Sequence, residues 1–255
     1  MALQLRLCGK PLNLQVSFKY GNARLGGVIL EVHSIEKLKR QLVDAIKMME
    51  KAKHIDFNGH FSVRIPETDF MLINSAAASR NSLTEKDIIT IDLEGNLVEG
   101  EGRPPNEYPL HTQIYKKRAD IQSVAHTHPQ WSTLLTIAKV PLRPVIIQGA
   151  VLGEIPVFSK SLSISNFEIA NEIAEKLDHH HIILLKAHGA VITGKTIAET
   201  FVRSVFLEEN AYRQYMASQI GTAHSLEEEE INKMAHFIWQ KGNIWNVWDY
   251  HYSKL

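Results

Sequence analysis

Residues 123–129, Ser-Val-Ala-His-Thr-His-Pro, constrain this chain more than any other stretch. The run 121–125 is short and mostly apolar, and predicts a buried strand. His126 and His128 stand at its end, at i and i+2. Alternate side chains of a strand share a face, so the two imidazoles can reach one ion. Pro129 cannot continue a ladder but fits the first turn of a helix, so the strand stops where the second histidine appears. His188 follows a second apolar run, 182–185. Gly189, next to it, lets the backbone bend and makes room beside the imidazole. Three neutral imidazoles with an open position are the pattern of a catalytic rather than a structural metal site.

Composition narrows the reading. A chain of 255 residues is most simply one large domain and can bury a sizeable core without staples. Lys plus Arg and Asp plus Glu balance at 28 each, which argues against a general nucleic-acid binder and leaves room for a local basic pocket holding a small anionic substrate. Cys8 is the one cysteine, so no intrachain disulfide can form and a reducing compartment, the cytoplasm, is the simple expectation. No apolar run approaches the roughly 18–20 residues of a membrane span. The first 30 residues lack Asp and Glu and carry Arg6, Lys10, Lys19 and Arg24, as transit peptides do. Alternation over 12–18 favours instead an N-terminal edge strand or a loose arm covering residues 1–33. Of the 13 histidines, position has to select the functional ones. Asp178-His179-His180-His181 falls in a helix-to-strand connection and reads as surface, because adjacent side chains rarely converge.

In chain order, Ser34 is a good N-cap for a helix to about Lys53, with Leu38, Leu42, Ile46 and Met49 as its apolar stripe. Two hairpins follow, the first over 61–73 and the second over 88–99 with its tip at Glu94-Gly95-Asn96. Between them 74–82 is small, polar and aperiodic, a loop of the kind that binds ligands, and 84–87 is a short helical turn. The stiff segment 101–106 delivers Glu107 to the start of a helix ending near Arg118, with Leu110 and Ile114 on its apolar side and Tyr115 at its edge. His111, one turn on, shares a face with Glu107. A helix over 129–139 turns Trp131, Leu134, Leu135 and Ala138 inward. Short strands are expected at 145–148 and 155–158. Capping boxes at 165–168 and 196–199 open two helices, the first with Ile169, Ile173 and Leu177 in register, the second running to about Gln219 with Val202, Val205, Phe206 and Tyr212 inward. A last helix spans about 226–241. The tail, 242–255, carries Trp245, Trp248, Tyr250 and Tyr252; an aromatic tail should pack on its own domain, cover the site or dock on a neighbouring subunit. Loosely alternating helices and strands give a mixed sheet with helices on its faces. Dinucleotide-binding and P-loop patterns are absent, as is G-x-S-x-G.

Glu107, then His126-Thr127-His128, then the run Leu184-Leu185-Lys186-Ala187-His188-Gly189-Ala190-Val191, closely resembles the class II aldolase/adducin family, and Asn58-Gly59-His60-Phe61-Ser62-Val63-Arg64 looks like its early Gly-Asn-x-Ser-x-Arg segment. The similarity covers about residues 35–219. It implies a three-layer α/β/α sandwich with a mixed, largely antiparallel central sheet, with residues 34–241 as the domain. It implies a carbon–carbon lyase with one divalent ion per subunit on His126, His128 and His188. Three imidazoles suit manganese or zinc, and also iron or cobalt. Glu107 would be the acid–base residue, touching the ion when the site is empty, with His111 as a second candidate. A homo-oligomer is implied, a tetramer favoured, with Tyr250 and Tyr252 reaching across a subunit boundary to the site.

Departures from the family pattern bear on the reaction. Sugar-phosphate aldolases of the family carry Thr-Gly in the loop after the second strand and Ser-Ser before the glutamate. Here the loop reads Ser75-Ala76-Ala77-Ala78-Ser79-Arg80, and Pro105-Asn106 precedes Glu107. Asn58-Gly59-His60, His111 and Leu142-Arg143-Pro144-Val145 look more like the branch that decarboxylates hydroxyaryl carboxylates, such as 3-hydroxy-2-methylpyridine-4,5-dicarboxylate. The substrate contacts expected on this resemblance are Asn58, Arg64, Ser75, Arg80 and Asn106, with Arg64 foremost on a carboxylate. The alternatives are an aldolase or epimerase on a free or phosphorylated sugar, an oxygenase with a redox metal, and a non-catalytic adducin-like module.

Overall fold

The computed structural model describes residues 34–255 with their side chains; before them it describes the backbone of 3–7, 10–14, 22–25 and 28–33. Those early segments form two separate hairpins, β1 (Leu3–Leu7) with β2 (Lys10–Leu14) and β3 (Asn22–Leu25) with β4 (Val28–Glu31). The alternating stretch 12–18 is thus strand up to Leu14, with 15–18 outside the described residues, and β2 pairs with β1 rather than with the edge of the main sheet.

Eight strands make that sheet: β5 (His60–Arg64), β6 (Phe70–Asn74), β7 (Ile88–Asp92), β8 (Leu97–Glu99), β9 (Ser123–Thr127), β10 (Val157–Phe158), β11 (Ile182–Leu185) and β12 (Gly189–Gly194). Their order is β10-β11-β12-β9-β5-β6-β7-β8, and only the β10–β11 pair is parallel. Strand alternation divides the interior into two cores. Phe61, Val63, Leu72, Ala125, Ile182, Leu184 and Ile192 face α1 (Val32–Lys51) and α5 (Ile197–Ile220). Met71, Ile73, Ile89, Ile91, Val124, Ile183, Leu185 and Val191 face α2 (Tyr108–Lys117) and α4 (Phe167–Leu177). The result is the α/β/α sandwich with a mixed, largely antiparallel sheet.

Buried polar side chains of α5 fix the loops on one side. Glu208 accepts the Trp131 and Ser132 N–H groups at 2.9 and 2.7 Å and so caps α3 (Gln130–Ala138) from another helix. Asn210 accepts from Val145 N at 2.9 Å and donates to Arg143 O at 2.7 Å; Gln214 treats Arg143 N and Pro141 O in the same way. The backbone of 141–146 therefore bonds to a helix instead of a ladder. The strand expected at 145–148 is absent, and a 3-10 turn, Ile147–Val151, stands in its place.

Other boundaries also differ from the sequence expectation. Helix α1 begins two residues before Ser34, which is not its cap. Pro129 is the N-cap of α3, not its first-turn residue; the buried face of α3 is Ser132, Leu135 and Thr136, while Ala138 is exposed. Asn166, not Ser165, caps α4, accepting from Ile169 N at 3.0 Å. Thr196 caps α5 as expected. Tyr212 on α5 is 41% exposed, and Tyr115, expected at the edge of α2, is fully buried. After α6 (Glu228–Ile238) the aromatic tail is itself a helix, α7 (Lys241–Tyr252). Ile244 and Trp248 close the first core, with the Trp248 ring 5.6 Å from Phe201 edge-on. Among the described residues, no helix is long and apolar enough to cross a membrane.

Gly189 opens β12 where the two strands that carry the histidines approach each other. A Cβ there would meet the Thr127 carbonyl oxygen at 2.2 Å. The bend before it is made by Ala187, at φ 54°, so the glycine gives room rather than curvature. Gly189→Ala is expected to cost about 1–3 kcal/mol by overpacking, read from the urea midpoint; an unchanged midpoint would contradict this close approach.

Candidate metal centre and cleft

Three neighbouring strands and one helix start build the centre. In the registers β5–β9 and β9–β12, His126 lies between His60 and Val191. Its side chain points to the α2 face, as Val124 does. His128 follows the end of β9, and its backbone N–H donates to His54 O at 3.0 Å. His188 sits in the β11–β12 turn, whose Ala187 N–H is held by Thr136 Oγ1 at 3.0 Å. Glu107 is the N-cap position of α2, but it does not cap that helix; its Oε1 accepts from Ser163 Oγ at 2.9 Å and Ile164 N at 2.8 Å.

Ligand atoms of Glu107, His126, His128 and His188 all lie within 4.8 Å of one another, the one such group among the described residues. His126 Nε2 is 3.2 Å from His128 Nε2 and 3.2 Å from Glu107 Oε2, and His188 Nε2 is 3.9 Å from Glu107 Oε1. Two nitrogens each about 2.0–2.1 Å from one tetrahedral ion stand roughly 3.3–3.4 Å apart, so the spacing fits a divalent ion. The tautomers fit as well. His126 Nδ1–H must donate to the Ala190 carbonyl at 3.1 Å, which sets the orientation of the ring towards its neighbours. His128 Nδ1 faces the Asp56 carboxylate at 3.5 Å, leaving its Nε2 turned inward. Burial lowers the pKa of both His128 and His188, favouring the neutral, ligating form. Burial alone would raise Glu107, but the neighbouring His126 and His60 rings and the Ile164 N–H outweigh it and keep this group a carboxylate.

The centre opens into a cleft of about 520 Å³. Asn58, Arg80, Asn106, Glu107, His128 and His188 line it as expected. Arg80 is buried, with Nε donating to Gly59 O at 2.9 Å and Nη1 to Ala78 O, so its guanidinium is held in one plane. Four expected contacts are not in the lining. Arg64 lies further along β5, donates to the carbonyls of Tyr115 and Ile121 and stacks 4.7 Å over the Tyr115 ring; its charge serves the backbone around α2. Ser75 is buried beside Gly102. Tyr250 and Tyr252 are 60% and 50% exposed on α7, and neither lines the cleft of its own chain. His111 is fully buried beneath His60, so it cannot touch a substrate directly.

Among the lining residues that sequence reasoning did not assign to the site are His60, Arg103 and Ser163. His60, Ser62 and Arg64 occupy alternate positions of one strand, and that i, i+2 pattern of polar groups was the available signal. Arg103 Nη1 donates to Asn106 Oδ1 at 2.6 Å; it sits in a loop without periodicity and gave no signal.

Residues 40–215 match the family model for the Class II Aldolase and Adducin N-terminal domain. With the sandwich and the His/Glu cluster, this places the chain in the class II aldolase/adducin family. It is 28% identical over 173 residues to an L-fuculose phosphate aldolase of Methanocaldococcus jannaschii, covering 68% of this chain and 93% of that one. It is also 28% identical over 178 residues to a 3,4-dihydroxyphthalate decarboxylase of Arthrobacter keyseri, covering 65% and 72%. A solved L-fuculose 1-phosphate aldolase superposes with a TM-score of 0.72 at 26% identity, covering 79% of this chain and 96% of that one.

Asp56→Ala is expected to weaken divalent-ion affinity by about 10–100-fold while leaving one site per chain, measured by competition with a chromogenic chelator. Unchanged affinity would mean that Asp56 does not orient His128.

Proposed function

We propose that this chain is a divalent-metal-dependent carbon–carbon lyase that decarboxylates a hydroxy-substituted aromatic or heteroaromatic carboxylate. The observation that carries the reading is the charge of the cleft. Arg80 and Arg103 line it with Glu107 as the one carboxylate, beside a cluster suited to a divalent cation. Such a cleft favours a substrate with more than one negative charge. Guanidinium forks match carboxylates in a bidentate way. The loop 75–80 lacks the Thr-Gly of the phosphate-binding pattern, and Arg80 ends it.

A bound divalent ion would supply Lewis acidity at a substrate oxygen and favour the electron-rich ring that bond cleavage produces. The chain's own groups do the rest. Arg80 and Arg103 hold the substrate carboxylates and orient the ring. Glu107, a carboxylate at rest, accepts the proton of the substrate hydroxyl and delivers it to the ring carbon that bears the departing carboxylate. That carbon becomes tetrahedral, the carbon–carbon bond breaks, carbon dioxide leaves, and the bonding pair returns to the ring. One proton from water restores the hydroxyl, so the net change is carboxylate plus proton to carbon dioxide and aryl–H. His111, buried away from the cleft, is not the acid.

The sugar-phosphate aldolase reading is kept because the two named relatives are equally identical at 28% and guanidinium groups bind phosphate too. The same proposal makes the chain a cytoplasmic homo-oligomer, tetramer favoured, in which exposed Tyr250 and Tyr252 complete a neighbour's cleft. A species that is monomeric by light scattering and fully active would exclude that arrangement.

Metal-loaded protein is expected to gain thermal stability with hydroxyaryl dicarboxylates, by about 2.7 kcal/mol at 100 times the dissociation constant, and to lose the gain in EDTA. Stabilisation by phosphorylated enediolate analogues alone would make the chain an aldolase. Arg103→Met should weaken binding of the aryl acid at least about tenfold; equal binding would remove Arg103 from the substrate site. Glu107→Gln should retain the ion on three histidines and lower turnover by at least about two orders of magnitude, and full turnover in that variant would remove Glu107 from the mechanism.

A further inference from the structure

Beneath Glu107, β5 and α2 meet along a buried polar seam. His60, Ser62 and Arg64 alternate on the strand; Glu107, His111 and Tyr115 recur every four residues at the helix start and along it. The two rows interlock. Tyr115 OH is 2.8 Å from Ser62 Oγ, Ser62 Oγ is 2.6 Å from His111 Nδ1, and His111 Nε2 is 2.6 Å from His60 Nδ1. His60 Nε2 then faces Glu107 Oε2 at 3.7 Å. All four side chains of this row are buried, and only His60 reaches the cleft.

Hydrogen-bond accounting decides which way the donors point. Each neutral imidazole has one N–H and one lone pair, so the whole row runs in one direction or the other. If it ran away from Glu107, the row would end on Tyr115 donating to Gln122 O at 3.5 Å or Ser62 donating to Val124 O at 3.5 Å. Both are long for O–H···O bonds. His60 would also turn a bare lone pair on the Glu107 carboxylate. If it runs towards Glu107, Tyr115 donates to Ser62, Ser62 to His111 and His111 to His60, and an N–H instead of a lone pair faces the carboxylate across 3.7 Å. Both rings are buried, which favours their neutral form.

We propose that His60 and His111 are positioning residues: a one-way row of hydrogen bonds from Tyr115 through Ser62 and His111 to His60 turns the His60 Nε2–H towards the Glu107 carboxylate, 3.7 Å away, and steadies it in the cleft by charge–dipole attraction. Oε1 is held by Ser163 and Ile164 from the opposite side. The row therefore acts on the other oxygen, Oε2, through the charge–dipole attraction of the His60 N–H rather than through a further hydrogen bond. The proposal rests on Glu107 belonging to the reactive site, and it is independent of which carbon–carbon bond is cleaved.

The test is nitrogen NMR of the full chain, labelled with 15N-histidine and loaded with diamagnetic Zn²⁺, which distinguishes the two neutral tautomers and the imidazolium. His60→Asn assigns its own signal, and Ser62→Ala, which removes the partner of His111 Nδ1, assigns the other. Both rings are expected as Nε2–H tautomers. An Nδ1–H tautomer at His60, or an imidazolium at either ring, overturns the proposal. In turnover, Ser62→Ala is expected to lower kcat about tenfold with KM unchanged, and Ser62→Thr to restore it. Wild-type kcat in a folded Ser62→Ala protein likewise overturns it. The tautomers need no substrate, so an error in the reaction assigned above leaves this measurement standing and the two failures separate.

Discussion

The cleft depends on β9 lying between β5 and β12. That pairing puts His126 opposite His60 on one side and Val191 on the other. It also brings the Ala190 carbonyl to His126 Nδ1. Because the β11–β12 turn returns the chain beside the end of β9, His188 comes into reach of His128, with ring centroids 5.3 Å apart. Gly189 permits this approach, since any side chain would collide with the Thr127 backbone. The sheet is thus the instrument that brings His188 to the His126 and His128 pair, distant from it in sequence, as one set of converging nitrogens.

Around that set, the polar groups are arranged so that the atoms facing inward stay available. The Nδ1 of His126 is committed to a carbonyl and that of His128 faces a carboxylate. Glu107 is held from its Oε1 side by Ser163 and Ile164. Groups held in this way lose little freedom when an ion or a substrate arrives, which is the physical meaning of preorganisation. The arginines act at longer range, making a cleft attractive to anions in a chain whose overall charge is zero.

Much of this was legible in the sequence, for reasons that differ by residue. The i, i+2 histidines and the apolar runs before them are local patterns, and local patterns predict which strand ends carry ligands. The two buried strands, the hairpins and α5 were visible from periodicity. What was not legible depended on partners far along the chain. Asn210 and Gln214 turn 141–146 from strand to loop. Arg64 is drawn to backbone carbonyls at 115 and 121 that no spacing rule links to it. The tail is dense in aromatics, which hid the helical spacing of Ile244 and Trp248. His111 shares its face with Glu107 as expected, yet His60 lies over it and takes the position next to the carboxylate.

The central claim is that Glu107, His126, His128 and His188 enclose a single divalent ion. Anomalous diffraction from crystals of protein loaded with Mn²⁺ or Zn²⁺ tests it most directly. The account predicts one anomalous peak per chain, within about 2.0–2.2 Å of the three Nε2 atoms and gone in His126→Ala. A peak elsewhere, or no peak among these nitrogens at saturating metal, would contradict it.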